Sequence, residues 1–256
     1  MPRTLVVAIR FPLVLALSVA IPAAARAQAD AAERGDRLMA ESRTEAAIEA
    51  YRAGLVAHPD DPTLLWKTAR AISNLADETP GDAGDEARME EAVELSRRAV
   101  RAGPSISRAH TTLAASLGKL ALFRGGKRKV ELAREVGREA RRAAELDPQD
   151  FAPFAVLGVL ERELATLNPL LKGFASALFG GVPDASLARS SALLGRAVRL
   201  APAFVAPHLE LARTYEEMDR DEEARAELEK ALALPPRERL DAVLQDRARE
   251  LLRDLD

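Results

Sequence analysis

The sequence predicts an all-α chain built as a solenoid of stacked helical hairpins, and three observations carry that expectation. Ala, Leu, Arg and Glu dominate, aromatics make up only 4%, and no long β-branched run follows the N-terminal segment, a composition that favours helix over strand. A phrase of small and apolar residues recurs five times, each time closing at a proline. The chain has no Cys, so stability has to come from helix packing, with disulfides, thiolate metal sites and a lipidated Cys excluded.

The N-terminal segment, residues 1–29, reads as an export signal. Arg3 and Arg10 precede an apolar run of 12 residues from Phe11 to Pro22, and small residues then offer two A-x-A sites ending at Ala27 or Ala29. The run is short of the roughly 20 residues that a helical span needs. A periplasmic or secreted protein is expected, with an uncleaved anchor in the inner membrane as the alternative and a mitochondrial transit peptide as a further one. Loss of Arg3, Arg10 and Arg26 takes the formal charge from −3 to −6. Such a mildly acidic chain is a poor general binder of nucleic acid or of anionic membrane, so membrane contact is expected only if the signal is retained.

The recurring phrase places a small residue, a bulkier one, another small residue and an apolar one before the proline. It reads Ala47, Tyr51, Gly54, Leu55, Pro59, and then Ala92, Ser96, Ala99, Val100, Pro104. Val136, Ala140, Ala143, Leu146, Pro148 follow, then Ser190, Leu194, Ala197, Leu200, Pro202, and last Ala224, Leu228, Ala231, Leu234, Pro236. The spacing keeps one stripe on a helix, and proline ends it by removing a donor and restricting the residue before it. A first helix with its own small residue lies upstream of each copy: Gly35 with Leu38, Leu65 with Ala69, His110 with Ala114, Phe154 with Gly158, His208 with Ala212. Small side chains belong there because two helices of a hairpin cross closely. This is the signature of the 34-residue tetratricopeptide repeat, and residues 30–236 form the expected repeat domain, a right-handed α-solenoid.

The five prolines lie 45, 44, 54 and 34 residues apart, so three repeats carry surplus residues, expected between their two helices. The surpluses map to Thr79–Gly84, to Phe123–Lys129 and to most of Leu164–Asp184. Residues 237–256 read as a final amphipathic helix with Leu240, Leu244, Leu251, Leu252 and Leu255 on one side, a cap for the last apolar face.

At Leu64–Arg70, Ala144–Pro148, Leu209–Tyr215 and above all the insertion with Asn168-Pro169 and Phe174–Pro183, the chain resembles the regulator of microtubule dynamics family. The resemblance spans roughly Leu64 to Pro236. It implies a compact helical repeat domain used for protein interaction, with no catalytic residues carried over. Eukaryotic members are linked to microtubules and to mitochondrial or endoplasmic-reticulum surfaces, and the export signal departs from that setting.

No catalytic, cofactor-binding or metal-ligating set is expected. His58, His110 and His208 are the only histidines and lack metal spacing, although His110 and His208 occupy equivalent places on two first helices. Asp82-Ala83-Gly84-Asp85 lacks the remaining ligands of a calcium loop, and Phe123–Lys129 reads as a basic turn, with an anion contact as its alternative. The expected function is a non-catalytic scaffold or adaptor that holds a protein or peptide in a concave groove. Helical phase nominates Trp66, Arg70, Asn74, His110, Arg162, His208 and Arg213 as groove residues. The stripe Leu170, Leu171, Phe174, Leu178, Phe179 within residues 168–181 is the second candidate surface, either packed inward or joining a homo-oligomer or envelope complex.

Overall fold

The computed structural model describes residues 23–167, 172–173 and 185–255. Among them the elements are helices throughout, arranged as five hairpins and a last helix. The hairpins are α1 (Ala23–Ala40) with α2 (Thr44–Ala57), α3 (Pro62–Glu78) with α4 (Asp85–Ala102), and α5 (Ser107–Leu120) with α6 (Gly126–Leu146). They continue with α7 (Ala152–Ala165) and α8 (Leu187–Leu200), then α9 (Val205–Glu216) and α10 (Asp221–Ala233), and α11 (Arg239–Asp254) ends the chain. Each hairpin packs on itself and on the next, the sequential stacking of a tetratricopeptide solenoid. The candidate stripe from Leu170 to Phe179 lies outside the described residues, as do residues 1–22 of the expected signal, and both expected cleavage positions fall within α1.

The prolines stop the second helices as their chemistry requires. Pro59, Pro104, Pro148 and Pro202 each stand two residues beyond the last residue of a helix. The following helices start on side-chain or proline cues. The Asp61 carboxylate accepts from the Leu64 N–H at 2.7 Å ahead of Pro62, and the Ser186 hydroxyl oxygen accepts from the Arg189 N–H at 3.1 Å.

What the repeat demands most is close approach. Ala47, Ala69, Ala92, Ala114, Ala140 and Ala224 are wholly buried, and the glycines of the first helices lie under bulky partners. A Cβ added at Gly35 would stand 2.1 Å from the Tyr51 ring, and one at Gly158 would stand 2.5 Å from Leu194 Cγ. In these two hairpins a large side chain is seated on an absent one, and that pair fixes the interaxial distance.

The surplus residues are used differently from the expectation of inserted loops. In the fifth hairpin α9 and α10 run for 12 and 13 residues. In the second, α3 and α4 run for 17 and 18, and α6 of the third runs for 21. Most of the first two surpluses therefore lengthens helices. The helical pattern simply continues past the normal repeat boundary, and only Thr79–Gly84 and Ala121–Gly125, which opens with a 3-10 turn, remain as connections. The basic segment expected to be a turn is largely the first turn of α6, whose Arg128 pairs with Glu131 at 3.3 Å.

The last helix does cover the final repeat. Leu244 and Ala248 are buried against Leu209, Leu228 and Ala231, and the Gln245 amide donates to the carbonyls of Ala231 and Leu234 at 3.0 and 2.7 Å. It also reaches beyond a cap's duty, because its amino-terminal end packs on α3, in the second hairpin.

Gly158→Ala should lower stability by about 1–3 kcal/mol through forced displacement of Leu194, despite the better helix propensity of Ala. Urea unfolding monitored by circular dichroism measures it, and an unchanged or raised midpoint would contradict the close-approach account.

Candidate functional site

The five first helices, α1, α3, α5, α7 and α9, form one wall of the stack, and α11 bridges that wall from the fifth hairpin back to the second. The bridge is polar at its far end. Arg70 Nη2 donates to Glu238 Oε1 at 3.3 Å, and Asn74 Nδ2 donates to Glu238 Oε2 at 3.2 Å. Arg239 Nη1 lies 3.5 Å from Glu45 and its Nε 3.7 Å from Glu78 Oε2, while Arg247 donates to the Asp77 carbonyl at 2.9 Å. Arg70 and Asn74 thus stand together on α3, already holding a carboxylate of the chain itself, and Asn74 is buried there.

Two acids behind this contact show how the wall is built. Glu78 accepts from the Thr44 hydroxyl at 2.9 Å through one oxygen, whereas its other oxygen is buried without a hydrogen bond. Burial pushes the Glu78 carboxyl above the usual range, and the Thr44 bond and Arg239 only partly oppose this. Asp36 receives the Tyr51 hydroxyl at 2.7 Å and also pairs with Lys67, so the large side chain seated on Gly35 carries its polar end to the same wall.

The other nominated residues fare unevenly. Trp66 is half-buried against the cluster around Leu65, Ala99 and Ala109. Arg213 is partly exposed and pairs with Glu210 at 3.2 Å. His110, Arg162 and His208, expected to face a partner, are buried and bonded internally, which corrects the reading from helical phase. Arg162 Nη1 donates to the Glu210 carbonyl at 2.9 Å and Nη2 to its carboxylate at 2.6 Å, joining α7 to α9. His110 Nδ1 lies 2.7 Å from Glu139, and its Nε2 lies 3.0 Å from the Pro104 carbonyl. His208 repeats the arrangement with Glu227 at 2.6 Å and the Pro202 carbonyl at 3.0 Å. Each histidine staples its own first helix to the second helix of the hairpin and to the preceding proline turn. The six-residue spacing from Pro104 to His110 and from Pro202 to His208 was the available signal for this shared structural role.

For His208 both ring nitrogens face acceptors, an arrangement that suits the imidazolium. The Glu227 hydrogen bond raises its pKa above the ordinary value, with burial opposing and the Pro202 carbonyl assisting. Burial pushes the Glu227 carboxyl upward, but the bonds from His208 and Lys230 outweigh it and hold the carboxyl below its usual range. Among the described residues no three His, Asp or Glu side chains converge as a metal set. The Asp82 segment is a turn in which Asp82 accepts the Gly84 N–H at 2.9 Å and pairs with Arg88 at 2.8 Å. No helix of the described residues is long and apolar enough to cross a membrane.

The profile of the family described as Regulator of microtubule dynamics protein 1-3 matches residues 28–256. Regulator of microtubule dynamics protein 1 of Bos taurus is 27% identical over 197 residues, covering 76% of this chain and 62% of the bovine one. Regulator of microtubule dynamics protein 3 of Mus musculus is 27% identical over 189 residues, covering 73% and 40% of the two chains. The shared part is therefore under two thirds of either relative. A thermophilic TPR protein of Thermus thermophilus superposes with a TM-score of 0.65 at 21% identity, covering 88% of this chain and 98% of that one. That likeness is one of fold.

The His208–Glu227 staple should make stability fall as pH rises. A raised imidazole pKa contributes fully below the unfolded value of 6.5 and is lost as pH climbs through the folded one. His208→Gln should cost about 1.5–3 kcal/mol at pH 6, the range for a hydrogen bond to a charged group, and less at pH 9. Denaturant midpoints across that range measure it, and an equal cost at both ends would contradict the charged staple.

Proposed function

The chain belongs to the Regulator of microtubule dynamics protein 1-3 family, and from that footing we propose that it is a non-catalytic scaffold that binds a protein or peptide on the wall formed by its first helices. The solenoid fold itself supports a role in protein interaction, since stacked hairpins present a long preformed surface. The observation that carries the narrower reading is α11. An amphipathic helix already lies against the wall, with apolar residues on repeat five and an acidic side chain read by Arg70 and Asn74. The wall therefore has the chemistry for helix-in-groove recognition. Its buried titratable groups are tied in structural pairs between helices, which favours holding over catalysis.

The setting we propose is the cell envelope. The basic residues, the apolar run and the A-x-A sites of residues 1–29 support export. The microtubule role in the relatives' names belongs to those proteins, which extend well beyond the shared region, and the proposed export would place this chain in a different setting.

Two measurements test the reading. A photoreactive amino acid at Arg213, on the wall, should capture a discrete protein in envelope preparations, whereas the same group at Val56, exposed on α2, should not. Equal capture at both positions would remove the case for the groove. Mass spectrometry of the fractionated protein should find a mature chain starting at Gln28 or Asp30, and an intact Met1 would refute cleavage.

A further inference from the structure

We propose that Arg70 and Asn74 form a carboxylate-reading subsite which Glu238 fills in the free protein, and that an acidic segment of the partner takes the subsite by displacing the amino-terminal end of α11. The proposal rests on the groove reading above and adds to it the partner's chemistry and an internal competitor.

The geometry points to a placeholder. Arg70 reaches Glu238 through Nη2 alone at 3.3 Å, while its Nε is buried without a hydrogen-bond partner. Guanidinium binds carboxylate best side-on, through two parallel N–H groups, and Glu238 uses one. A carboxylate approaching along the Nε–Nη2 edge would satisfy the stranded donor, with Asn74 free to bond the second oxygen. The next latch residue is equally ill-served, since Arg239 Nε stands 3.7 Å from Glu78 Oε2, and that oxygen has no hydrogen bond.

The helix is also divided in how it is held. Glu238 and Arg239 reach the first two hairpins through polar contacts at or beyond ordinary hydrogen-bond length, and Arg247, further along the helix, adds a bond to the Asp77 carbonyl at 2.9 Å. Leu244, Ala248, Leu251 and Leu252 face the fifth hairpin as part of its apolar core, and Gln245 fixes that half to the end of α10. Release of Glu238 and Arg239 gives up those contacts and loosens Leu240, but Leu244, Ala248, Leu251 and Leu252 still cover the last repeat while the subsite empties. An internal ligand of this kind lowers the apparent affinity for an outside one by the fraction of time the subsite is free.

The probe is a fluorescent decaglutamate peptide, with decalysine as control, added to the mature protein. The chain's formal charge, −3 in full and −6 without Arg3, Arg10 and Arg26, repels the probe at large, so binding has to come from a local site. Glu238→Gln, which keeps the shape and removes the competing charge, should bind decaglutamate about tenfold more tightly than wild type. Glu238→Gln with Arg70→Gln should lose that gain. Spin labels at Ala53→Cys and Ala242→Cys, the only thiols in the labelled chain, should report a longer distance on adding the peptide to otherwise wild-type protein. Equal affinity of wild type and Glu238→Gln, affinity indifferent to Arg70, or binding without a change of distance would each overturn the proposal. Circular dichroism confirms that the variants fold, and Glu238→Lys gives a second opening of the same contact. Photocapture at Arg213 that persists while these tests fail leaves the groove reading standing, whereas loss of capture removes the groove itself.

Discussion

Close approach between helices is the constraint on which every other feature of this chain rests. With few aromatics and no disulfide, the hairpins hold by bringing backbones together, and they do so by placing a large side chain over a residue that has none. Tyr51 over Gly35 and Leu194 over Gly158 are the two sharpest instances. The arrangement sets the pitch of the stack, since each hairpin presents a fixed width to the next. It also explains the alanine content. Ala47, Ala92, Ala140 and Ala224 recur at the same place in the second helices, where a larger side chain would separate the layers.

Packing of this kind is apolar and repetitive, and by itself it would tolerate slippage between layers. The buried polar ties supply register. His110 and His208 each bind a carboxylate on the neighbouring helix and a carbonyl of the preceding turn, and Arg162 binds both the backbone and the side chain of Glu210. A shift of either helix by one residue would strand a buried charge without its partner, a penalty that no rearrangement of alanine side chains could offset. The ties therefore select one alignment from several that the alanine seams would accept.

This division accounts for what was legible in the sequence. The order of the hairpins and the ends of the first four second helices followed from Pro59, Pro104, Pro148 and Pro202, because proline acts locally and its effect is tied to its position. The small-residue positions followed from the same periodicity. Helical phase could show that Asn74, His110, Arg162 and His208 lie on the first helices, but phase alone does not separate a residue that faces a groove from one that ties two helices beneath it. The reach of α11 was beyond any local pattern, since Arg70 and Glu238 are 168 residues apart and no spacing links them. The lengthened helices were missed for a simpler reason: proline intervals count residues without saying whether the surplus coils or winds.

The helical surplus and the reach of α11 have a common consequence. Lengthening α3, α4 and α6 enlarges the second and third hairpins at one edge, so the wall offers more surface there than five plain repeats would. The bare end of the fifth hairpin needs an apolar cover in any case, and α11 provides it. Its amino-terminal turn extends past that need and meets the enlarged second hairpin through Glu238 and Arg239, with Arg247 adding a bond to the Asp77 carbonyl. A helix retained for stability would bury leucines at that contact. This one instead presents a carboxylate and a guanidinium, whose attraction is screened by salt and is open to exchange. The apolar face of α11 that covers the fifth hairpin and the polar end that meets the second are thus chemically distinct.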